Sequence, residues 1–341
     1  MGIEDSGCFS ATKMNIKTTI TGIIAVVICL LPALNSNAVG TTVNDIVSEV
    51  SQTTYRNYLD NTLYTHSGDD RGSGPQHDLA RDNIYSQFSG FGLNTSLQSF
   101  SYSSNTYYNV VGVHPGTTRP GDIYIVGAHF DSVNNPGADD NGSGTAGVLE
   151  AARILSRYSF EATMVFVAFD REEQGLVGST AYAQQHSTDN ILGMISLDMI
   201  GYNGSGSNGA RIYGRDSSAE IKQDLADAIS LYGNGLFAVD SGRLDASDHA
   251  PFENAGFQAC LLIEYDVWNN PYYHTSMDSV DTPNYIDYAF ATNMVGSTVG
   301  FLSDSAVLIP EPATLLLLAL GSVMLKRKRR TSSVSIYHFS A

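Results

Sequence analysis

Apolar residues along this chain occur in short continuous runs that are separated by polar turns and amphipathic segments. Residues 162–169 are almost wholly apolar, and residues 123–126 and 193–197 are similar. A run without polar alternation is typical of a strand covered on both faces, as in a parallel sheet. The predicted strands are residues 107–113, 123–126, 162–169, 193–197 and 257–264.

Between these runs lie segments whose apolar residues recur with helical spacing. In residues 145–155, for example, Val148 and Leu155 fall on one helical face. Asp281-Thr282-Pro283 is typical of a helix start and predicts the beginning of the last helix. Helices that alternate with buried strands predict one doubly wound α/β domain, with a mixed, mostly parallel central sheet flanked by helices. The predicted helices are residues 43–63, 76–88, 145–155, 178–185, 218–232 and 284–302.

The amino-terminal end differs in composition from the body of the chain. Lys13 and Lys17 precede a largely apolar run at residues 20–34, and Ser36-Asn37-Ala38 follows it. A basic start, an apolar run and a small-x-small site are typical of a secretory signal peptide. We therefore expect residues 1–38 to be a signal peptide and residues 39–305 to be the folded domain.

The carboxyl-terminal end, residues 306–341, carries a second unusual series. Pro310-Glu311-Pro312 is followed by an apolar run at residues 313–325 and then by a basic cluster at residues 326–330. This order resembles the PEP-CTERM sorting signal of bacterial exosortase systems, although the chain continues beyond the cluster. The resemblance implies an exosortase-type partner and a location in the periplasm or at the cell surface, with transient anchorage in the inner membrane. A plain C-terminal anchor is the alternative, but the apolar run is shorter than the ~20 residues that span a bilayer.

The charge balance is strongly acidic, with 35 Asp+Glu against 18 Lys+Arg and a formal net charge of −17. The two ends hold many of the basic residues, and Lys222 is the only lysine between Val39 and Ile309. Such a surface argues against nucleic acid or anionic membranes as partners. Without the signal peptide only Cys260 remains, so no internal disulfide can form.

Histidines and carboxylates recur where the predicted strands end. His129 and Asp131 follow residues 123–126, and their alternating spacing places them on the same side of an extended chain. Because parallel strands end at one edge of a sheet, we expect such side chains to gather in one site. The other candidates are Asp139 and Asp140, Glu172 and Glu173, Asp198, and His274.

Imidazole and carboxylate donors from several points on one sheet edge would suffice for two zinc ions that share a carboxylate. In the adjacent pair Glu172 and Glu173, one side chain can coordinate while the other acts as general base. Simpler interpretations exist for each feature alone. Residues 139–144 also fit an Asx-rich turn or a calcium loop, although the glutamate of an EF-hand is missing. Two glutamates after a strand are often only a solvated helix start.

Taken in order, AHFDS, GADDNGSG, FDREEQGLVGS, SLDMIG, SDHAPF and YYHTSMD resemble metallopeptidase family 28, the group of aminopeptidase S and bacterial leucyl aminopeptidases. The resemblance covers roughly residues 55–302 and implies the zinc exopeptidase fold with two zinc ions per chain. It implies that Asp140 bridges both ions. One zinc would then add Glu173 and His274, and the other would add His129 and Asp198.

The same resemblance implies roles for residues that do not bind metal. Glu172 matches the general base, and Asp131 matches the residue that orients the histidine two positions before it. Tyr273 matches a tyrosine that in some members of the family helps to stabilise the tetrahedral intermediate. Asp248 and His249 match a motif to which we assign a structural role.

The implied function is an exported di-zinc metallo-aminopeptidase, which acts as a monomer on peptides with a free amino terminus. A non-catalytic surface or matrix-binding protein on the same fold would be expected to lack a ligand or Glu172, and neither is missing. A glutaminyl cyclase-like enzyme with one zinc would not need both metal pairs. A carboxypeptidase would need a cation for the substrate carboxylate, and Lys222, Arg171 and Arg243 are poor candidates. We expect Lys222 on a surface helix, Arg171 turned away from Glu172, and Arg243 in a loop ion pair.

Overall fold

Residues 40–309 are described by the computed structural model, and they form an eight-stranded sheet with helices on both faces. Residues Thr41–Pro310 make up one compact unit. The predicted signal peptide, the Pro310-Glu311-Pro312 series and the apolar run after it lie outside the described residues. Within residues 40–309, no helix combines the length and apolar character needed to cross a bilayer.

The sheet is mixed, with a parallel centre and antiparallel pairs toward both edges. Its strands are β1 (Asn94–Tyr102), β2 (Asn105–His114), β3 (Arg119–His129), β4 (Ala162–Phe169), β5 (Asn190–Leu197), β6 (Gly209–Tyr213), β7 (Phe237–Asp240) and β8 (Ala259–Glu264). They lie in the order β1-β2-β4-β3-β5-β8-β6-β7. The central strands β4, β3, β5 and β8 are parallel, whereas β2 and β6 pair with this centre in antiparallel orientation. The predicted fold class is confirmed.

Helices cover both faces because alternate residues of the central strands contact different cores. In β4, Phe166 packs in the core that includes Phe88, whereas Val167 packs in the core that includes Tyr182 and Phe252. Every residue of β4 is buried, as its apolar sequence predicts. The helices are α1 (Val43–Val47), α2 (Gln52–Asn57), α3 (Pro75–Gly90), α4 (Gly144–Leu155), α5 (Val177–Gln185), α6 (Ala219–Tyr232), α7 (His249–Asn254) and α8 (Tyr288–Ser305), with π-helical turns at Tyr58–Thr62 and Ala138–Ser143.

The first predicted helix is not continuous in the structure, so this prediction is wrong. Residues 43–63 divide into α1, α2 and a π-helical turn. The division occurs at Ser51, whose side chain accepts a hydrogen bond from the amide of Thr54 and so caps a new helix. A capping serine competes with helix continuation because its oxygen satisfies an amide that would otherwise lack a partner.

The last predicted helix is wrong in its start, which is Tyr288 rather than residue 284. Asp287 is the cap, and its side chain accepts hydrogen bonds from the amides of Ala289 and Phe290. Asp281, the expected cap, instead lies 3.0 Å from Nδ1 of His66 and belongs to the preceding turn. Asp281 therefore contacts a distant segment that its local sequence does not indicate.

Three strands, β1, β6 and β7, are not predicted by the apolar pattern. β1 has the mostly polar sequence NTSLQSFSY and lies at the edge of the sheet, whereas β6 and β7 are only five and four residues long. Lys222 lies on α6, a helix with an exposed face, as expected, but its own side chain is buried. It is 7% exposed, and its ammonium group donates to both carboxylate oxygens of Asp240 at 3.1 and 3.0 Å.

Residues 306–309, which the sequence analysis places in the tail, pair with the chain just before β4. The carbonyl of Ala306 accepts hydrogen bonds from the amides of Glu161 and Ala162, and the amide of Ile309 donates to Ser159. Phe160 and Leu308 form an antiparallel bridge. The folded domain therefore extends at least to Ile309.

Candidate metal centre and active site

The predicted site residues converge at the carboxyl edge of the parallel strands. His129 is the last residue of β3 and lies beside Phe169, the last residue of β4. Glu172 and Glu173 follow β4 closely, and Asp198 directly follows β5. Because parallel strands end at one edge, short loops carry these side chains to one place.

Asp140 lies between the two candidate histidines. It belongs to the turn Ala138–Ser143, which connects β3 to α4, and it is 5% exposed. Its Oδ1 lies 3.4 Å from Nε2 of His129, and its Oδ2 lies 2.9 Å from Nε2 of His274. A carboxylate whose two oxygens face different imidazoles has the geometry of a bridging ligand.

On the outer side of Asp140, Glu173 and His274 form the first group of donors. Oε2 of Glu173 lies 3.3 Å from Nε2 of His274. Atoms of Glu173, Asp140 and His129 also lie within 4.8 Å of one another, a spacing that could hold a metal ion. The structure thus brings Glu173 and His274 together as predicted.

The second group lies on the inner side, around His129. Nε2 of His129 is 3.7 Å from Oδ1 of Asp198 and 4.0 Å from Oε2 of Glu172. The other oxygen of Asp198 accepts a hydrogen bond from Ser247 Oγ at 2.7 Å. Atoms of His129, Glu172 and Asp198 lie within 4.8 Å of one another. This geometry allows Glu172 to coordinate a metal as well as to act as a base.

Asp131 contacts the two glutamates as well as the histidine. Its carboxylate oxygens accept hydrogen bonds from the amides of Glu172 at 3.1 Å and Glu173 at 3.4 Å. Nδ1 of His129 lies 3.6 Å from the Asp131 carboxylate and 3.2 Å from its main-chain oxygen. Asp131 thus lies beside His129, but the hydrogen bond of Nδ1 is with its main-chain oxygen rather than its carboxylate. The hydrogen bonds from the glutamate amides were not predicted from the sequence.

Two further residues support the site and were not predicted. The carboxylate of Asp278 accepts hydrogen bonds from the amides of Asp139 at 2.7 Å and Asp140 at 3.1 Å. Ser247 donates to Asp198, as described above. Both residues lie within the quoted series YYHTSMD and SDHAPF, so a signal existed, but only their distant partners reveal what they do.

Asp248 and His249, the two residues of SDHAPF for which a structural role is predicted, are both buried. Both carboxylate oxygens of Asp248 have no hydrogen-bond partner among the described residues, and burial raises the pKa of Asp248 to about 7. Nε2 of His249 lies 2.7 Å from the carbonyl of Leu244. The structural role of both residues stays a prediction.

Negative charge accumulates at this edge of the sheet. Burial raises the pKa of Glu173 to about 8 and the pKa of Glu172 well above its usual value. Burial opposes the ionisation of Asp140 too, but hydrogen bonds with His129 and His274 outweigh it and lower its pKa to about 2. The carboxylates outnumber the imidazoles, a condition that bound divalent cations relieve.

The donor set fits metal ions. Imidazole nitrogens and carboxylate oxygens are ligands that zinc takes in proteins. Oε1 of Glu173 and Oδ1 of Asp198 are buried and have no hydrogen-bond partner in the described part of the chain. A buried polar atom without a partner costs about 1–3 kcal/mol. Cations bound at these oxygens would remove that cost.

An apolar cleft opens beside the donor cluster. Trp268 stands at its rim, 66% exposed, and donates a hydrogen bond from Nε1 to the Tyr213 hydroxyl at 3.2 Å. Tyr273 lines the same cleft, and its ring stacks on His274 with centroids 3.8 Å apart. The apolar wall consists of Met199, Leu244, Leu261, Ile263 and Val267.

The family of the chain follows from comparison with known proteins. The profile of peptidase family M28 matches residues 109–298, and that of the PEP-CTERM protein-sorting motif matches residues 308–330. The chain therefore belongs to peptidase family M28. Both sequence resemblances are confirmed.

Among curated relatives, aminopeptidase YwaD of Bacillus subtilis (strain 168) is 32% identical over 195 residues, which are 54% of this chain and 42% of that protein. The chain spans about half the length of the curated relatives it matches.

Solved structures show the same fold. The LapA aminopeptidase of Legionella pneumophila has a TM-score of 0.67 at 23% identity and covers 81% of this chain and 78% of its own. BSAP, a zinc aminopeptidase from Bacillus subtilis, has a TM-score of 0.54 at 28% identity. The match covers 60% of this chain and 51% of the BSAP chain.

Proposed function

We propose that this protein is an exported di-zinc metallo-aminopeptidase that hydrolyses N-terminal residues from peptides. The observation that carries the proposal is the position of Asp140, whose two carboxylate oxygens face His129 and His274 at 3.4 and 2.9 Å. Membership of peptidase family M28 supports it, as does likeness to proteins named an aminopeptidase and a zinc aminopeptidase.

In this proposal Asp140 would supply a ligand to each of two zinc ions. Glu173 and His274 would complete the outer ion, and His129 and Asp198 would complete the inner ion. Each ion would then keep an open position, which catalytic zinc requires. When bound, the ions would polarise the substrate carbonyl group and lower the pKa of the attacking water.

Glu172 would act as the general base. Its carboxylate lines the cleft beside the proposed ligands, and its main-chain amide is fixed by Asp131. In the reaction it would take a proton from the attacking water and pass it to the leaving amine. Tyr273, which lines the same cleft, would donate a hydrogen bond to the substrate carbonyl oxygen as it gains charge.

The charges around the cleft favour the amino end of a peptide. A substrate carboxylate would require a cation, and the arginines nearest to the site in sequence are engaged elsewhere. Arg171 donates to the carbonyl of Gly72 at 2.6 Å, and Arg243 pairs with Asp245 at 2.9 Å. Arg171 is only 6% exposed and Arg243 already pairs with a carboxylate, so both are poor binding groups for a peptide carboxylate, which disfavours the carboxypeptidase alternative.

The apolar wall beside the donors suggests the substrate's first side chain. Leu261, Ile263 and Val267 would contact it, with Trp268 at the rim. Burial of a leucyl side chain against such a wall contributes about 1.5–3 kcal/mol. We therefore expect apolar N-terminal residues to be preferred over charged ones.

The PEP-CTERM motif at residues 308–330 supports export and sorting. We propose that a signal peptide directs the chain out of the cytoplasm and that an exosortase-type enzyme acts on the tail. The body would then work as a monomer in the periplasm or at the cell surface, with its tail anchored transiently in the inner membrane.

Metal analysis together with a substrate panel tests the proposed activity. We expect two zinc ions per chain, cleavage of a free-amine leucyl anilide, and almost none of its N-acetylated form. A chelator should abolish turnover, and added zinc should restore it.

Each alternative function predicts a different outcome. Cleavage of an N-blocked peptide that stops when its C-terminus is amidated would identify a carboxypeptidase. Cyclisation of an N-terminal glutaminyl peptide with one zinc per chain would identify a glutaminyl cyclase. Bound metal without turnover of any substrate would identify a binding protein.

A further inference from the structure

Arg71 is a fully buried arginine behind the candidate metal centre. It has 0% exposure and lies before the region that the M28 profile matches. Its side-chain hydrogen bonds in the described residues all go to main-chain carbonyl groups. A buried guanidinium usually pairs with a carboxylate, so this arrangement requires an explanation.

The guanidinium spans the loop that connects the two metal-binding elements. Nε donates to the carbonyl of Phe130 at 2.8 Å, Nη2 donates to Gly137 at 2.7 Å, and Nη1 donates to Pro136. Phe130 directly follows His129, and Gly137 lies three residues before Asp140. A single planar guanidinium group is therefore hydrogen-bonded to both the start and the end of this loop.

The loop is packed tightly between Arg71 and the bridging aspartate. Gly137 has a φ of +57°, and a Cβ there would lie 2.5 Å from the carbonyl oxygen of Asp140 and 3.1 Å from Nη2 of Arg71. The carbonyl of Gly137 also accepts the amide of Gly142 at 2.9 Å. With so little free space, a displacement of Gly137 would be passed to Asp140.

The main chain of Arg71 is attached to the same loop. Its amide donates to Ser132 Oγ at 3.0 Å, and that hydroxyl donates to the carbonyl of Asn135 at 2.8 Å. Both the backbone and the side chain of Arg71 thus fix residues 130–137.

We propose that Arg71 is a positioning residue for the metal centre, which sets the separation of His129 and Asp140 by holding both ends of the loop between them. The inference rests on the proposed zinc site. Lysine could not replace this function, because a single ammonium group cannot reach carbonyls at both ends of the loop.

The charge of Arg71 also bears on the site. Burial lowers the pKa of Arg71 to about 10, and Asp278, Asp131 and Asp140 partly oppose that effect. The guanidinium therefore stays charged at neutral pH. It places a fixed positive charge behind a carboxylate-rich centre without blocking any carboxylate by a direct ion pair.

The test is the zinc affinity of Arg71→Lys, measured on the full chain. Metal-free protein is titrated with zinc against a chromophoric chelator, well below the melting temperature of each variant. We expect affinity to fall about 10–100-fold, the usual range for residues that orient metal ligands. The absorption spectrum of the cobalt-substituted protein should change as well. A purely structural role would lower the melting temperature but leave the affinity and spectrum of the folded protein unchanged.

Arg153→Lys is the matched control. Arg153 donates to the carbonyl of Glu49 at 2.9 Å and pairs with Glu150 at 2.6 Å, in the last turn of α4. The substitution also shortens a hydrogen-bonded arginine, but it leaves residues 130–137 untouched. Zinc affinity in this variant should equal that of the unmodified protein.

Ser132→Ala keeps the proposal testable if Arg71→Lys does not fold. It removes one attachment of Arg71 to the loop and should weaken zinc binding in the same direction, by up to about 10-fold. Unchanged zinc affinity in Arg71→Lys would overturn the proposal. If Arg71→Lys does not fold, unchanged zinc affinity in Ser132→Ala would overturn it instead. Absence of zinc binding by the unmodified protein would instead refute the proposed function.

Discussion

The two ends of β4 are built in opposite ways. After Phe169, the chain turns through Arg171 in a left-handed conformation, with φ +64°, and then presents Glu172 and Glu173. These carboxylates have pKa values raised by burial, and Glu173 retains an oxygen without a hydrogen-bond partner. This end combines several features that cost folding free energy.

Before Ala162, by contrast, the main-chain groups are hydrogen-bonded and one large apolar side chain is fully buried. Phe160 is 0% exposed, and its carbonyl accepts hydrogen bonds from the amide and hydroxyl of Thr117. The amides of Glu161 and Ala162 are paired with Ala306. This end contributes stability and contains none of the proposed catalytic groups.

The difference suggests that stability and chemistry are separable along one strand. Substitutions at the carboxyl end of β4 and its neighbours should remove metal or turnover. When metal-free proteins are compared, they should change the free energy of unfolding little. Substitutions at the amino end should lower the free energy of unfolding and leave turnover unchanged.

The largest effect is expected for Asp140→Ala at the carboxyl edge. It removes a ligand from both proposed zinc ions, so both should be lost and activity should become undetectable. His129→Ala removes a ligand from one ion only and should retain more metal. Elemental analysis measures the number of metal ions per chain in the two variants and tests this order. Two metals in Asp140→Ala and none in Asp139→Ala would show that the bridging residue is Asp139.

Glu172→Gln should have the next largest effect on activity. Loss of a general base typically lowers kcat by ~10²–10⁴-fold. Metal content should stay near that of the unmodified protein, because Glu172 is not a proposed ligand. Glu173→Gln is the matched control and should lose metal. Since Glu172 lies as close to His129 and Asp198 as a ligand could, equal metal loss in Glu172→Gln would show that the roles are exchanged.

At the other end of β4, Phe160→Ala should reduce stability without affecting turnover. Removal of a fully buried phenylalanine costs about 3–5 kcal/mol. Urea unfolding of the variant should show this loss, while kcat at 25 °C should not change. Tyr85, which is 38% exposed on α3, offers a control, since Tyr85→Ala should change stability by about 0.5 kcal/mol or less. A lower kcat in folded Phe160→Ala would mean that the two ends are coupled.

The same contrast explains what could be predicted from the sequence. His129, Glu173 and Asp198 each follow an apolar run, and the parallel strands then bring the ends of those runs together. The local sequence pattern was enough to predict the site, because the parallel sheet brings the ends of its strands close together. The family resemblance then assigned the individual roles.

Contacts between distant segments could not be predicted in this way. Asp278 and Asp140 are joined only by the folded loops, and nothing in the sequence around Arg71 indicates the carbonyl of Gly137 as its partner. The start of α8 was predicted at Asp281-Thr282-Pro283, whereas Asp287 is the residue that caps the helix. Asp281 instead contacts His66 and accepts a hydrogen bond from the amide of Ser67, and its local sequence indicates neither partner.

The smallest effects concern the residues after α8. A chain of residues 39–309 should be as active and as stable as the full protein, because the pairing of Ile309 with Ser159 is retained. A chain that ends at Ser305 lacks the carbonyl of Ala306, which leaves the amides of Glu161 and Ala162 without acceptors. It should lose about 1–3 kcal/mol of unfolding free energy.

Urea unfolding and anilide hydrolysis on both truncations measure these differences. The chain ending at Ser305 should keep its kcat while its unfolding midpoint falls, because its four missing residues lie at the amino end of β4, away from His129. Equal midpoints for the two chains would show that residues 306–309 do not secure this end of the sheet. Inactivity of the chain ending at Ile309 would show that the tail contributes to the active fold, since every proposed ligand is present in it.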